Sequence, residues 1–141
     1  MDTEKPLAFA YRRYGYGQPL SSFLAADTAV VIGELAQRSA FDVDQAQIAA
    51  WDGSIRVLRQ ALPPWASEGH VFLEFDVPRL GRRIDAVLVL RNVVFVLEFK
   101  VGAKAFLAQD LDQVVDYALD LKHFHETSHA VTVAPVLVAT E

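Results

Sequence analysis

The chain contains no cysteine. Disulfide scaffolds, thiolate zinc sites and cysteine nucleophiles are thereby excluded. No apolar run approaches the roughly 20 residues of a membrane-spanning helix. The opening segment, MDTEKPLAFAYRRYGYGQP, lacks the basic-then-apolar order of a secretory signal. Glycine and proline number 7 and 6 in 141 residues and form no linker long enough to divide domains. Net positive charge is missing too. Lys and Arg total 13 against 18 Asp and Glu, and the balance of -5 argues against non-specific nucleic-acid binding by the whole surface. A soluble cytoplasmic protein is the expectation. What is present is apolar: 52% of residues are hydrophobic, too many for a disordered tail and enough for one sizeable core without staples.

Residues 1–22 read as irregular. Tyr11, Tyr14 and Tyr16 alternate there with Arg12, Arg13, Gly15 and Gly17. Such a pattern suits a base-stacking surface, but an N-terminal arm over 1–27, lying on the core, is the preferred reading. Asp27 or Thr28 caps a helix over 28–39, with Ala29, Ile32, Leu35 and Ala36 on one face. A second helix fits 42–61, where Ile48, Trp51, Ile55, Leu58 and Leu62 keep helical spacing until Pro63-Pro64 stops it. HVFLEFDV (70–77) alternates as a strand and PRLG (78–81) reads as a turn. Two Val-rich strands follow at 84–90 and 93–99, joined by Arg91-Asn92 as a two-residue hairpin loop, Asn being tolerant of positive φ. Residues 105–125 form an amphipathic helix, and VTVAPVLVAT (131–140) a last strand. The order predicts an α/β sandwich with a mixed central sheet flanked by helices.

The hairpin has a chemical consequence. With Leu90 opposite Val93, counting back sets Asp85 opposite Glu98 and Arg83 opposite Lys100. Opposed Cβ atoms lie about 4.5–5.5 Å apart. Two carboxylates that close repel unless a shared proton or a divalent cation lies between them. If PRLG is a four-residue loop, Val77 pairs with Arg82 and Glu74 also faces Asp85; a loop one residue different turns Glu74 away. Lys100 projects to the same side as Glu98. There it can orient a metal-bound water or stabilise charge on a phosphoryl group. Acids and a lysine around one ion suit metal-dependent phosphodiester hydrolysis. The plainer alternative is a strand end emerging into solvent, with Arg83 and Arg91 neutralising the acids.

Local charge points the same way. From Asp76 to Lys104 the cations are Arg79, Arg82, Arg83, Arg91, Lys100 and Lys104, against Asp76, Asp85 and Glu98. Arg82, Arg83 and Lys104 are therefore candidate nucleic-acid contacts. Asp112, Asp116 and Asp120 form a stripe read as a solvated helix face. His123, His125 and His129 lack a further evident ligand and are read as helix-end or loop residues, not as a zinc site.

Asp85, followed after a turn by Glu98-Phe99-Lys100, resembles the D…ExK signature of the PD-(D/E)XK nuclease superfamily. Gln113 to Tyr117 resembles the QxxxY element of its RecB-like branch. The likeness covers roughly residues 28–140. It departs in one place, where Ile84 and not Pro precedes Asp85. It implies an αβββαβ restriction-endonuclease-like core over 28–141. It also implies Mg²⁺ or Mn²⁺ held by Asp85, Glu98 and the Phe99 carbonyl, with Glu74 and Glu34 as further candidates. Glu34 reads equally well as a solvated helix acid. Lys100 would position the water, and Gln113 and Tyr117 would stand at the site. The stretches RIDAVLVLRNVVFVLEFKVGA, QVVDYALDLKHFHETSH and PVLVATE resemble the N-terminal nuclease-like domain of bacterial helicase-like P-loop ATPases. The chain has no G-x-x-x-x-G-K-[ST] of its own, so a fragment or a stand-alone member is expected. The implied function is a metal-dependent nuclease, with DNA rather than RNA the expected substrate. The alternatives are a nuclease-fold domain that only binds nucleic acid or regulates an attached ATPase, and an interaction module using the acidic helix.

Overall fold

A computed structural model describes residues 13–39, 42–77, 81–101, 108–124 and 132–140. Five strands form one sheet in the order β1 to β5: β1 (Tyr14–Pro19), β2 (His70–Val77), β3 (Arg82–Leu90), β4 (Val93–Val101) and β5 (Thr132–Thr140). The first four are antiparallel neighbours, and β5 joins β4 in parallel. Parallel pairing needs a long crossover, supplied here by α4 (Ala108–Phe124). Between β1 and β2 come α1 (Leu20–Ala25), α2 (Thr28–Arg38) and α3 (Gln45–Ala61). The fold is α/β, a mixed sheet flanked by helices. Among the described residues no helix is long and apolar enough to cross a membrane.

Each face of the sheet has its own core. On one, Phe23, Val31, Leu35, Trp51, Ile55 and Leu58 from α1–α3 cover Val71, Leu73, Ala86, Leu88, Leu97 and Phe99. On the other, Val114, Tyr117, Ala118 and Leu121 of α4 cover Val77, Ile84, Val87 and Val96. Helix α3 starts where Asp44 accepts the Gln47 N–H at 2.8 Å, and Pro63–Trp65 end it in a 3₁₀ turn. Arg59 of α3 donates to the Phe23 and Ala26 carbonyls and lies over the Phe23 ring, tying α3 to the α1–α2 corner.

Four expectations are corrected. Residues 14–25 are not irregular: β1 pairs with β2, and Tyr16 is buried in the core. The strand fits because Gly17 lies under Phe72. A Cβ there would meet the Phe72 ring at 2.8 Å, and the Tyr14 ring packs 5.0 Å from that of Phe72 instead. The stripe of α2 runs through Ile32, Leu35 and Ala36 as expected and includes Val31, but Ala29 is exposed. Asp27 precedes α2 but makes no side-chain capping bond. In the β3–β4 loop the left-handed residue is Arg91, with φ 54°, not Asn92. Arg91 is exposed there and pairs with Glu68 at 2.8 Å, away from the buried acids.

Candidate functional site

The site forms where two strands turn over. In β2, Val71 and Leu73 pack with α1–α3, but Phe75 and Val77 pack on the α4 side. In β3, Ala86 and Leu88 face α1–α3, while Ile84 is buried on the α4 side. Regular alternation would keep each set on one face. The backbone register holds on both sides of the reversal, at Leu73–Ala86 and at Phe75–Ile84. Glu74 and Asp85 occupy the rung between. Glu74 takes φ 54°, a left-handed conformation that costs a non-glycine residue about 1–2 kcal/mol.

The β3–β4 ladder runs from Leu90–Val93 to Ala86–Leu97 and stops there. Beyond it, side chains take over the cross-strand bonding. The Asp85 N–H donates to Glu98 Oε1 at 3.0 Å, and the Phe99 N–H donates to Asp85 Oδ2 at 2.8 Å. Asp85 and Glu98 are thus neighbours across the strands. The expected opposition of Arg83 and Lys100 is not formed, because the reversal at Asp85 carries β3 out of the ladder. Arg83 pairs across β2 with Asp76, and the Lys100 ammonium lies 3.1 Å from Asp110 Oδ1 on α4.

Burial dominates the electrostatics. Burial, then the charge of Asp85, push Glu98 up to about 8. Burial also raises Asp85, opposed by the Phe99 N–H, by a hydrogen bond with Glu98 and by Lys100. That shared bond favours the proton on Glu98 and the charge on Asp85, as in other close carboxyl pairs. Burial, then Asp85, push Glu74 up to about 7, while Arg83 and the Trp51 indole favour its ionised form. The Trp51 Nε1–H is nevertheless buried without a hydrogen bond of its own.

Lys100 stands between two clefts. One, of about 300 Å³ between α3 and the sheet, is lined by Trp51, Leu73, Glu74, Asp85, Phe99 and Lys100 among others. The other, of about 680 Å³ along α4, includes Arg82, Lys100, Asp110, Gln113 and Tyr117. Gln113 Nε2 donates to the Tyr117 hydroxyl at 2.7 Å, and Tyr117 is a core residue. Arg82 and Arg83 therefore serve different clefts, since Arg83 lines a third with Arg13, Arg38, Glu74 and Asp76.

Of the five residues expected around a cation, the structure joins Asp85, Glu98 and the Phe99 backbone and sets Glu74 beside Asp85. Glu34 lines none of these clefts; its charge acts on Tyr16. Among the described residues no group of three or more acids or histidines converges to hold a metal ion. Lys104, His125 and His129 lie outside the described residues, as does the side chain of His123. Asp112 and Asp116 are exposed, as a solvated face requires, but Asp120 departs from the expected stripe: it is half-buried, with Oδ2 out of reach of solvent.

Two contributors escaped the sequence reading. Trp51 was assigned to the core alone, and Asp110 went unnoticed beside the more conspicuous Asp112, Asp116 and Asp120. The signal for Asp110 was its spacing: 110, 113 and 117 fall on one face of α4, with Gln113 and Tyr117. No protein-family model, curated protein or solved structure matches the chain.

Proposed function

We propose that this chain is a divalent-cation-dependent nuclease of the PD-(D/E)XK type. The observation that carries the reading is the Asp85–Glu98 pair, a half-buried and a buried acid on adjacent strands, each tied to the opposite backbone, with Lys100 alongside. The element order from α3 through β2, β3, β4, α4 and β5 supports it, as do the D…ExK and QxxxY residues. The donor set fits Mg²⁺ or Mn²⁺: oxygen ligands only, and two carboxylates, the number Mg²⁺ commonly takes beside water and phosphate oxygens. When bound, such an ion activates water and neutralises charge on the phosphoryl oxygens.

Asp85 and Glu98 would hold the ion, releasing the proton they share. Lys100, steadied by Asp110, would place its positive charge against the developing charge on phosphate. Arg82 and Arg83 would guide the nucleic-acid backbone from opposite sides of the sheet. The resemblance extends the proposal to an attached P-loop ATPase.

The test is cleavage of circular single- and double-stranded DNA by wild type and Asp85→Asn, with Mn²⁺, Mg²⁺ or EDTA. Metal-dependent cleavage lost in the variant supports the reading; no cleavage under any condition rejects it. A second reading, a domain that binds nucleic acid without cutting, is favoured by one contact. The ion pair with Asp110 already engages the Lys100 ammonium.

A further inference from the structure

The cleft beside Glu74 and Asp85 has an apolar half that phosphodiester chemistry leaves unused. Its walls include Leu35, Ile55 and Leu73, all buried core residues. Trp51 lines it too, only 7% exposed; its buried Nε1–H makes no hydrogen bond of normal geometry, although it lies close enough to Glu74 to favour that carboxylate's charge. A buried donor without a partner is costly, and a bound acceptor would relieve it. The Ser54 hydroxyl, on the same wall, spends its proton on the Ala50 carbonyl at 3.0 Å and so remains an acceptor. The sheet side of the cleft carries Glu74, Asp85 and Lys100. The volume, about 300 Å³, is at the lower limit for small-ligand pockets.

An occupant with apolar faces, hydrogen-bonding groups on its edge and a phosphate directed toward Lys100 would match this lining. We propose that the cleft receives one unstacked nucleobase of the substrate, so that the chain acts on single-stranded or frayed nucleic acid. The inference rests on the nuclease reading and deepens it. A base inside a duplex is stacked on both faces and cannot enter a cleft walled by a helix and a sheet. An unpaired base can, and its carbonyl or ring nitrogen would accept from Trp51. Its phosphate would then lie toward Lys100 and the acids.

The chain has two tryptophans, so Trp65→Phe leaves Trp51 as the only indole. Its fluorescence is titrated in EDTA at one fixed salt concentration, since phosphate binding is salt-dependent. The probes are a short thymidylate strand, an abasic strand of equal length and charge, and a blunt duplex. The thymidylate strand should quench Trp51 saturably and bind about tenfold more tightly than the abasic strand. The duplex should leave Trp51 unchanged. Ala50→Leu, which fills the cleft from its helical wall, should remove the preference for bases. Equal binding of abasic and base-bearing strands overturns the proposal, as does equal quenching by the duplex or a preference that survives Ala50→Leu. The abasic comparison stands even if Ala50→Leu fails to fold. The nuclease reading falls by a different result, the absence of cleavage with Mn²⁺ or Mg²⁺, and base binding without cleavage would leave the cleft assignment intact.

Discussion

The two ends of the β3–β4 pair are built differently. At the turn, Leu90–Val93 through Ala86–Leu97 pair by backbone alone, with apolar side chains on both faces. At the other end the ladder stops, and Asp85 and Glu98 make the cross-strand bonds with their carboxylates. The first end contributes stability. The second works against it: carboxyls with raised pKa values, a left-handed Glu74 and an indole N–H without a hydrogen bond of normal geometry gather around the Glu74–Asp85 rung. Such unfavourable features persist only when surrounding structure over-determines them, and they concentrate at functional sites.

The contrast breaks most sharply at Asp85. Asp85→Asn should lower metal-dependent cleavage by about a thousandfold or more, the scale of losing a group that acts with the catalytic ion. Millimolar Mn²⁺ should raise the melting temperature of wild type by mass action and leave that of Asp85→Asn unchanged. An equal thermal shift in both would move the cation elsewhere.

Lys100→Arg comes next. The charge is kept, but a broad planar group replaces a compact one held by Asp110. If Lys100 orients the attacking water, cleavage should fall about a hundredfold while DNA affinity at fixed salt barely changes. Undiminished cleavage would reduce Lys100 to an electrostatic contact.

The turn end should respond in the opposite sense. Leu88→Ala should cost about 3 kcal/mol in urea unfolding, because a buried leucine leaves a cavity. The rate of the folded variant should stay that of wild type. A large loss of rate would mean that the two ends are coupled.

The pH dependence of stability sharpens the comparison further. Unfolded glutamates lose their protons near 4.5, whereas Glu74 and Glu98 in the folded chain keep theirs to about 7 and about 8. Between those limits the folded state binds more protons, so stability falls as pH rises. Without metal, the protein should be more stable at pH 5 than at pH 8.5, by on the order of a few kcal/mol, and melt at a correspondingly higher temperature. Glu98→Gln should remove much of that slope; an unchanged slope would place its origin outside the site.

The turn end was open to reading from composition alone. Arg91-Asn92 between two valine-rich runs set the register, and Leu90 does pair with Val93. The same counting put Asp85 beside Glu98 and Glu74 beside Asp85, because Val77 pairs with Arg82 as a four-residue loop requires. Counting failed at Arg83 and Lys100. It assumes that alternation continues, and both β2 and β3 reverse faces at Glu74 and Asp85. No local pattern announced that reversal. Ile84 and Ala86 look equivalent in sequence, yet they belong to different cores. The strand at residues 14–19 was missed for a related reason. Tyr-Gly alternation is a weak strand signal, and the need for the glycines comes from packing: a Cβ at Gly15 would meet Leu35, and one at Gly17 the Tyr14 and Phe72 rings.

Short-range chemistry was therefore in the sequence itself: the hairpin, the paired acids, the helices and their stops, and the α/β order. These depend on period, propensity and turn geometry, which act over a few residues. Three matters were decided only when the layers closed. Packing against two cores rotated the strands at Glu74 and Asp85. Docking of α4 supplied Asp110 to Lys100, a partner ten residues on in the chain whose pairing depends on how the crossover returns. The seating of α3 turned Trp51 from core filler into a cleft wall beside the acids. Each depends on the mutual placement of elements, and burial then sets what the acids hold: the same carboxyls in an extended chain would carry ordinary charges and share no proton.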